Sequence, residues 1–228
     1  MRVGRAGRIV VGVVAAIVAV LVLAQVFLPG IAAERVRARV AKYGTVQSVS
    51  VSAWPAVELL WGRAGSVKVR AKDLEISPAQ TAKLLSEARG VQSMSLTATS
   101  IKEGPLQLRD ASFRKHGDVL RAQALTSRAD VQAALGRGFE VRLLSSGGGQ
   151  VEVRVSGGLF GVDASVDAVA RAEDGKLVVR PRGFLLEGLR LTLLADPHVR
   201  VEGIGASAVA EPSSGAAGYR LTIWASVR

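Results

Sequence analysis

His116 and His198 are the only imidazoles in a chain of 228 residues, and histidine is the side chain most often used to move protons near neutral pH. Neither lies at helical spacing from a pair of carboxylates, so neither starts a metal site of the H-E-x-x-H kind. His116 opens the turn signal His116-Gly117-Asp118, and His198 follows Asp196-Pro197 at the start of a strand. Both read as loop or strand-end histidines. Asp163 and Asp167 share one face of a strand, and Glu173-Asp174-Gly175 offers a second acidic group for acid–base work or calcium. A polar strand face and a hairpin turn account for them with less. Gly203-Ile204-Gly205 lacks the third glycine of a dinucleotide fingerprint and follows no βαβ unit, and no G-x-S-x-G or Walker-A pattern is present.

The absence of cysteine excludes a thiol nucleophile, a Cys-ligated zinc, an iron–sulfur carrier and a disulfide scaffold. The chain therefore reads as non-enzymatic and without a cofactor. The enzymatic alternative is an envelope hydrolase that holds Asp163 and Asp167 in a cleft with perturbed acidity.

Large apolar residues in unusual places carry more information. Ala53 to Gly62 (AWPAVELLWG) is apolar without alternation, and Trp54 and Trp61 flank a Pro-broken loop. Tryptophan is favoured where one edge is wet and the other apolar, as at a bilayer interface or the mouth of a lipid pocket. An ordinary core corner fits the same residues. Leu159-Phe160-Gly161 and Phe184-Leu185-Leu186 are further lining candidates. On the lipid-pocket reading, as distinct from the core-corner one, Trp54, Leu59, Leu60, Trp61, Phe160 and Leu185 are the expected acyl-chain contacts, and Arg63, Lys68 and Arg70 the expected headgroup contacts.

These residues need a scaffold, and the N-terminus says where it stands. Ile9 to Leu28 is uncharged over twenty residues, a helix of about 30 Å, the thickness of a bilayer core. Arg2, Arg5 and Arg8 precede it and no acid appears before Glu34, so the start of the chain is expected on the cytoplasmic side and the rest across the membrane. Twenty residues exceed the usual apolar core of a cleaved signal and favour an anchor, although the small residues near Gly30, Ala32 and Ala33 also suit cleavage. The expected division is residues 1–30 as anchor and 31–228 as an extracytoplasmic domain.

Beyond the apolar run the chain keeps 27 basic and 19 acidic side chains. An exported basic domain beside a membrane points to anionic lipid headgroups and away from nucleic acid. Ala33, Val36, Val40 and Tyr43 form the apolar stripe of a helix, and Arg35, Arg37, Arg39 and Lys42 follow the span closely enough to meet phosphates.

From Thr45 the period becomes two. In Ser66 to Lys72, Val67, Val69 and Ala71 face one side, while Lys68, Arg70 and Lys72 face the other as a headgroup ladder or a solvated face. Ser77-Pro78 starts a helix that Gly90 ends, and Ser127 to Asp130 forms a capping box for a second, short one. The remainder predicts strands at turn-punctuated intervals, a meander-like antiparallel layout that includes a strand over Phe184 to Leu194.

The order of these segments resembles one family. WPAVELLWG at Trp54 to Gly62 leading into SVKVRAKDL, DGKLVVRP at Asp174 to Pro181, and LTLLADPHVRV at Leu191 to Val201 are similar to the LmeA-like phospholipid-binding proteins of actinobacterial envelopes, over roughly residues 31–228. The resemblance implies phospholipid binding with a link to lipoglycan assembly. It also implies an α+β, TULIP-like fold in which a curved antiparallel sheet wraps one or two helices around an acyl-chain groove. The rival reading is a non-enzymatic envelope scaffold with a packed core, which a measurement of internal volume separates from a lipid binder.

Overall fold

In the computed structural model the described residues are 5–61, 63–76, 90–103, 106–136, 138–159, 162–183, 189–195, 197–210 and 217–227. Side chains are described from Val18 onward, with gaps that include Leu60 and Asp163. Helix α1 (Arg5–Val40) runs on through a 3-10 turn (Ala41–Tyr43) into β1 (Gly44–Ser52). The predicted apolar run and the predicted amphipathic helix are therefore one continuous element that contains Pro29. Among the described residues no helix is long and apolar enough to cross a membrane.

Alternation makes the strands. In β2 (Ala64–Glu75) Val67, Val69, Ala71 and Leu74 are buried, while Lys68, Arg70 and Lys72 stand out in solvent. The chain continues with β3 (Val91–Glu103), β4 (Leu106–His116), β5 (Val119–Ser127), helix α2 (Arg128–Leu135), β6 (Phe139–Gly147), β7 (Gln150–Leu159), β8 (Val162–Glu173), β9 (Lys176–Arg182), β10 (Leu191–Leu194), β11 (Val199–Ala210) and β12 (Ala217–Val227). The capping box at α2 forms as its sequence predicts: Ser127 Oγ accepts from the Asp130 amide at 3.0 Å, and the Asp130 carboxylate accepts from the Ser127 amide.

The strands form two sheets. Seven lie in the order β1-β2-β3-β4-β5-β12-β11 and five in the order β10-β9-β8-β7-β6. One expectation is corrected here: β2 and β3 pair parallel, not antiparallel, with Val67 opposite Met94 and Leu74 opposite Ile101. Parallel neighbours require a crossover, and the connection 76–90 is long enough to supply one. The helix expected at Ser77 to Gly90 falls on 77–89, outside the described residues. Of the strand expected over Phe184 to Leu194, Leu191–Leu194 form one, 189 and 190 do not, and 184–188 lie outside the described residues.

The five-stranded sheet meets β11 through its hairpin turns. Gly148 and Gly149 (φ 58° and 77°) and Asp174 and Gly175 (φ 52° and 78°) give both turns the left-handed pairs that match strand twist. Their carbonyls serve β11: the Ile204 amide donates to Gly149 at 3.0 Å and the Val201 amide to Gly175 at 2.8 Å. Ser146 Oγ accepts from the Ala206 amide at 2.9 Å, and the Tyr219 hydroxyl donates to the Val141 carbonyl at 2.8 Å. Three amides of β11, those of Val201, Ile204 and Ala206, thereby find partners outside the β11–β12 ladder at this sheet edge.

Candidate lipid-binding cavity

The C-terminal part of α1 lies against the inner face of the seven-stranded sheet. Ala32, Ala33, Val36, Val40 and Tyr43 pack with Val51, Val67, Val69, Ala71 and Leu74 in one apolar cluster. The helix does not fill the concavity. A cavity of about 400 Å³ remains between Val36, Arg39, Val40 and Tyr43 of the helical segment and five strands. β2 contributes Val67, Val69 and Leu74; β3 contributes Val91, Met94, Leu96 and Ile101; β4, β5 and β12 bring Leu108, Phe113, Ala124, Leu221 and Ile223 among others.

Among the described lining residues, Arg39, Tyr43, Ser112 and Gln123 are the ones that carry a polar group on the side chain, and the rest are apolar. Well-packed interiors leave few voids larger than a water molecule, and ligand pockets begin near 300 Å³. From Met94 to Ile101 the lining extends about 23 Å at 3.3 Å per residue. A chain bulge helps to shape it: Asp110 takes φ 47° where the β4–β5 register shifts, and Ala111, Ser112 and Phe113 all reach the cavity.

At the Tyr43, Leu74 and Ile76 end the cavity adjoins a polar depression of about 640 Å³ lined also by Lys42, Thr45, Asp73, Glu75, Ser100 and Lys102. Gly44 makes the corner. It has φ 152°, and a Cβ there would stand 1.9 Å from the Asp73 carbonyl oxygen, so only glycine lets β1 start this close to β2.

Of the nine sequence-predicted contacts, the six with described side chains lie outside the lining of the cavity. Trp54 precedes the 3-10 segment Ala56–Trp61 and Trp61 ends it, and the two are 82% and 72% exposed. Leu59, between them, packs against the apolar cluster under α1. The side chain of Leu60, together with Phe160 and Leu185, lies outside the described set. Arg63, Lys68 and Arg70 are exposed, the last two on the outer face of β2. The lining that sequence reasoning missed is the inward row of β3, β4, β5 and β12. Its signal was present as alternation, but alternation does not say which strand faces a helix.

Of the two acids considered for hydrolysis, the side chain of Asp163 lies outside the described set and Asp167 is ion-paired. Arg154 holds Asp167 through two hydrogen bonds of 2.6 and 2.8 Å, and that contact keeps the Asp167 carboxyl below the ordinary carboxylate range. A general acid needs the opposite shift. Glu173 is also held low, first by Arg180 and then by Arg171. Asp174 and Gly175 form the hairpin turn.

The family description that matches the chain is LmeA-like phospholipid-binding, over residues 19–210. No curated protein and no solved structure matches it.

Proposed function

We propose, from the premise that the chain belongs to the LmeA-like phospholipid-binding family, that it holds phospholipid acyl chains in the cavity beneath α1 and passes or presents that lipid in the cell envelope. The apolar cavity of about 400 Å³ carries this reading. Each methylene moved from water into it gains about 0.8 kcal/mol. The headgroup then falls at the polar depression, where Lys42 and Lys102 meet a phosphate and Thr45 and Ser100 offer hydroxyls. Asp73 and Glu75 balance these lysines within the depression, so a preference for anionic lipid rests on the net charge of +11 and on the reach of the two lysines to the phosphate.

The reading is non-enzymatic and TULIP-like, a helix laid along a bent sheet with lipid between. It stations the domain on the outer face of the cytoplasmic membrane, with the first part of α1 as the anchor. Three observations support that arrangement: the uncharged run Ile9–Leu28; the exposure of Val20, Val26, Phe27 and Ile31 along α1; and the exposed Trp54 and Trp61 beside the helix, residue types that settle at bilayer interfaces. Trp54 and Trp61 then contact lipid from outside the cavity. A contribution to lipoglycan assembly is the further expectation that the family resemblance carries. The scaffold alternative needs a solid interior under α1.

The test is extraction. Full-length protein purified from membranes in mild detergent is stripped with organic solvent, and the extract is analysed by mass spectrometry beside an Ala124→Phe variant whose ring fills the cavity. Wild type is expected to carry phospholipid and the variant to carry little at unchanged circular dichroism. A lipid-free wild type, or equal lipid in both, overturns the reading.

A further inference from the structure

The edge of the five-stranded sheet remote from β6 is unlike the others. Among the described residues β10 is four residues long and pairs on one side only, with β9. Leu189, Leu191 and Leu193, on and just before it, are 59%, 61% and 53% exposed. Leucines at alternate positions on a sheet edge are what soluble proteins usually avoid, placing charges or proline there instead. No acid occurs from Leu189 to Ala195, and Arg190 stands between the first two leucines with half its side chain in solvent.

The face of the sheet opposite Leu191 carries charge of one sign at its surface, and Arg190 joins it through Glu173. Arg154, Arg171, Arg180, Arg182 and Arg190 pair with only three acids, Glu152, Asp167 and Glu173. The acids lie lower: Glu173 is 13% exposed beneath Arg171, Arg180 and Arg190, whose side chains are 41–50% exposed. Solvent therefore meets guanidinium.

We propose that the β10 edge is a membrane-docking surface that seats on an anionic phospholipid bilayer, with Leu189, Leu191 and Leu193 at hydrocarbon depth and Arg190 at the phosphates. A bilayer interface offers this order of apolar and anionic layers along its normal. A protein strand adding to the edge would find only a four-residue partner, short for main-chain recognition. The choice of a lipid partner rests on the phospholipid reading, but the surface is separate from the cavity. Such an edge gives the domain a membrane contact of its own, apart from α1.

The chain has no cysteine, so one label reports one site. An environment-sensitive fluorophore is attached at Leu191→Cys, at Leu189→Cys and, as control, at Ser207→Cys, which is exposed on β11. The full-length proteins are mixed with vesicles of phosphatidylcholine alone or with about one-third phosphatidylglycerol. Labels at 189 and 191 are expected to shift to the blue on the anionic vesicles and less on the neutral ones. The label at 207 should stay in its aqueous spectrum. Arg190→Gln is expected to weaken the response about five-fold. Labels at 189 and 191 that behave like the one at 207 on vesicle-bound protein overturn the proposal, as does a shift indifferent to phosphatidylglycerol. The same variants are extracted for lipid: a failed docking signal with retained phospholipid sinks this surface alone, and loss of phospholipid from the wild type sinks the cavity reading.

Discussion

The side chain of Gln25 accepts a hydrogen bond from the Ala56 amide at 2.8 Å and donates to the Ala53 carbonyl at 3.2 Å, clamping α1 to the loop that carries both exposed tryptophans. This is the polar residue nearest the end of the uncharged run, and it supplies the first amide of the segment Ala56–Trp61 with its partner. Gln25→Leu leaves that amide unsatisfied at a cost of about 1–3 kcal/mol. Hydrogen exchange should show at least about five-fold faster exchange at Ala56, with little change in the five-stranded sheet; unchanged protection at Ala56 contradicts the clamp.

Gly44 sets the corner between α1 and β1. Alanine there must adopt φ 152° and displace the Asp73 carbonyl, so Gly44→Ala is expected to destabilise by about 2–4 kcal/mol. The change reaches function because the polar depression is lined by Lys42, Gly44, Thr45 and Asp73. Thermal unfolding in detergent checks it. A midpoint within a degree or two of wild type would show that the corner tolerates a side chain.

Acid should loosen the five-stranded sheet. Arg154 holds Asp167 low, and Arg180 and Arg171 hold Glu173 low. A carboxylate whose acidity is raised by folding contributes stability that is fully present above its unfolded value, near 4, and is lost as pH falls through the lower folded value. The stability profile should therefore be flat from neutral pH down to about 5 and fall below about 4. Glu173→Gln should be less stable at neutral pH and have a shallower acid limb. Parallel profiles for variant and wild type in urea titrations would contradict the assignment.

Lys42 and Lys102 are the cations of the polar depression. Neutralising both with glutamine removes about 1 kcal/mol of attraction each, so capture of an anionic phospholipid should weaken about thirty-fold. Capture of an uncharged diacylglycerol should stay within about two-fold. Competition with a fluorescent lipid measures both; an equal loss for the two lipids would place the headgroup elsewhere.

Part of this site was legible before any coordinates. The stripe Ala33, Val36, Val40 and Tyr43 and the inward residues Val67 and Val69 follow from periodicity, and five of those six line the cavity while Ala33 packs beside it. The glycine-bearing hairpin turns and the Ser127 to Asp130 capping box follow from local chemistry, because a turn or cap is decided within a few residues. Phe113, Leu221 and Ile223 were not legible, since they join Val36 only through a sheet order that places β12 beside β5. The parallel pairing of β2 and β3 was hidden for the same reason: alternation is identical in parallel and antiparallel strands. Trp54 and Trp61 were recognised by type, but an apolar run without alternation does not say which of its members turn outward.

The most direct measurement is photocrosslinking with a phospholipid that carries a diazirine near the end of one acyl chain, followed by peptide mapping of the full-length protein. The account predicts label on the inward residues of β3, β4 and β12, around Met94 to Ile101, Phe113 and Leu221, and its loss in Ala124→Phe. Label confined to α1 and the Trp54 to Trp61 loop, with the same pattern in Ala124→Phe, would mean that lipid touches this protein only from outside and that the cavity stays empty.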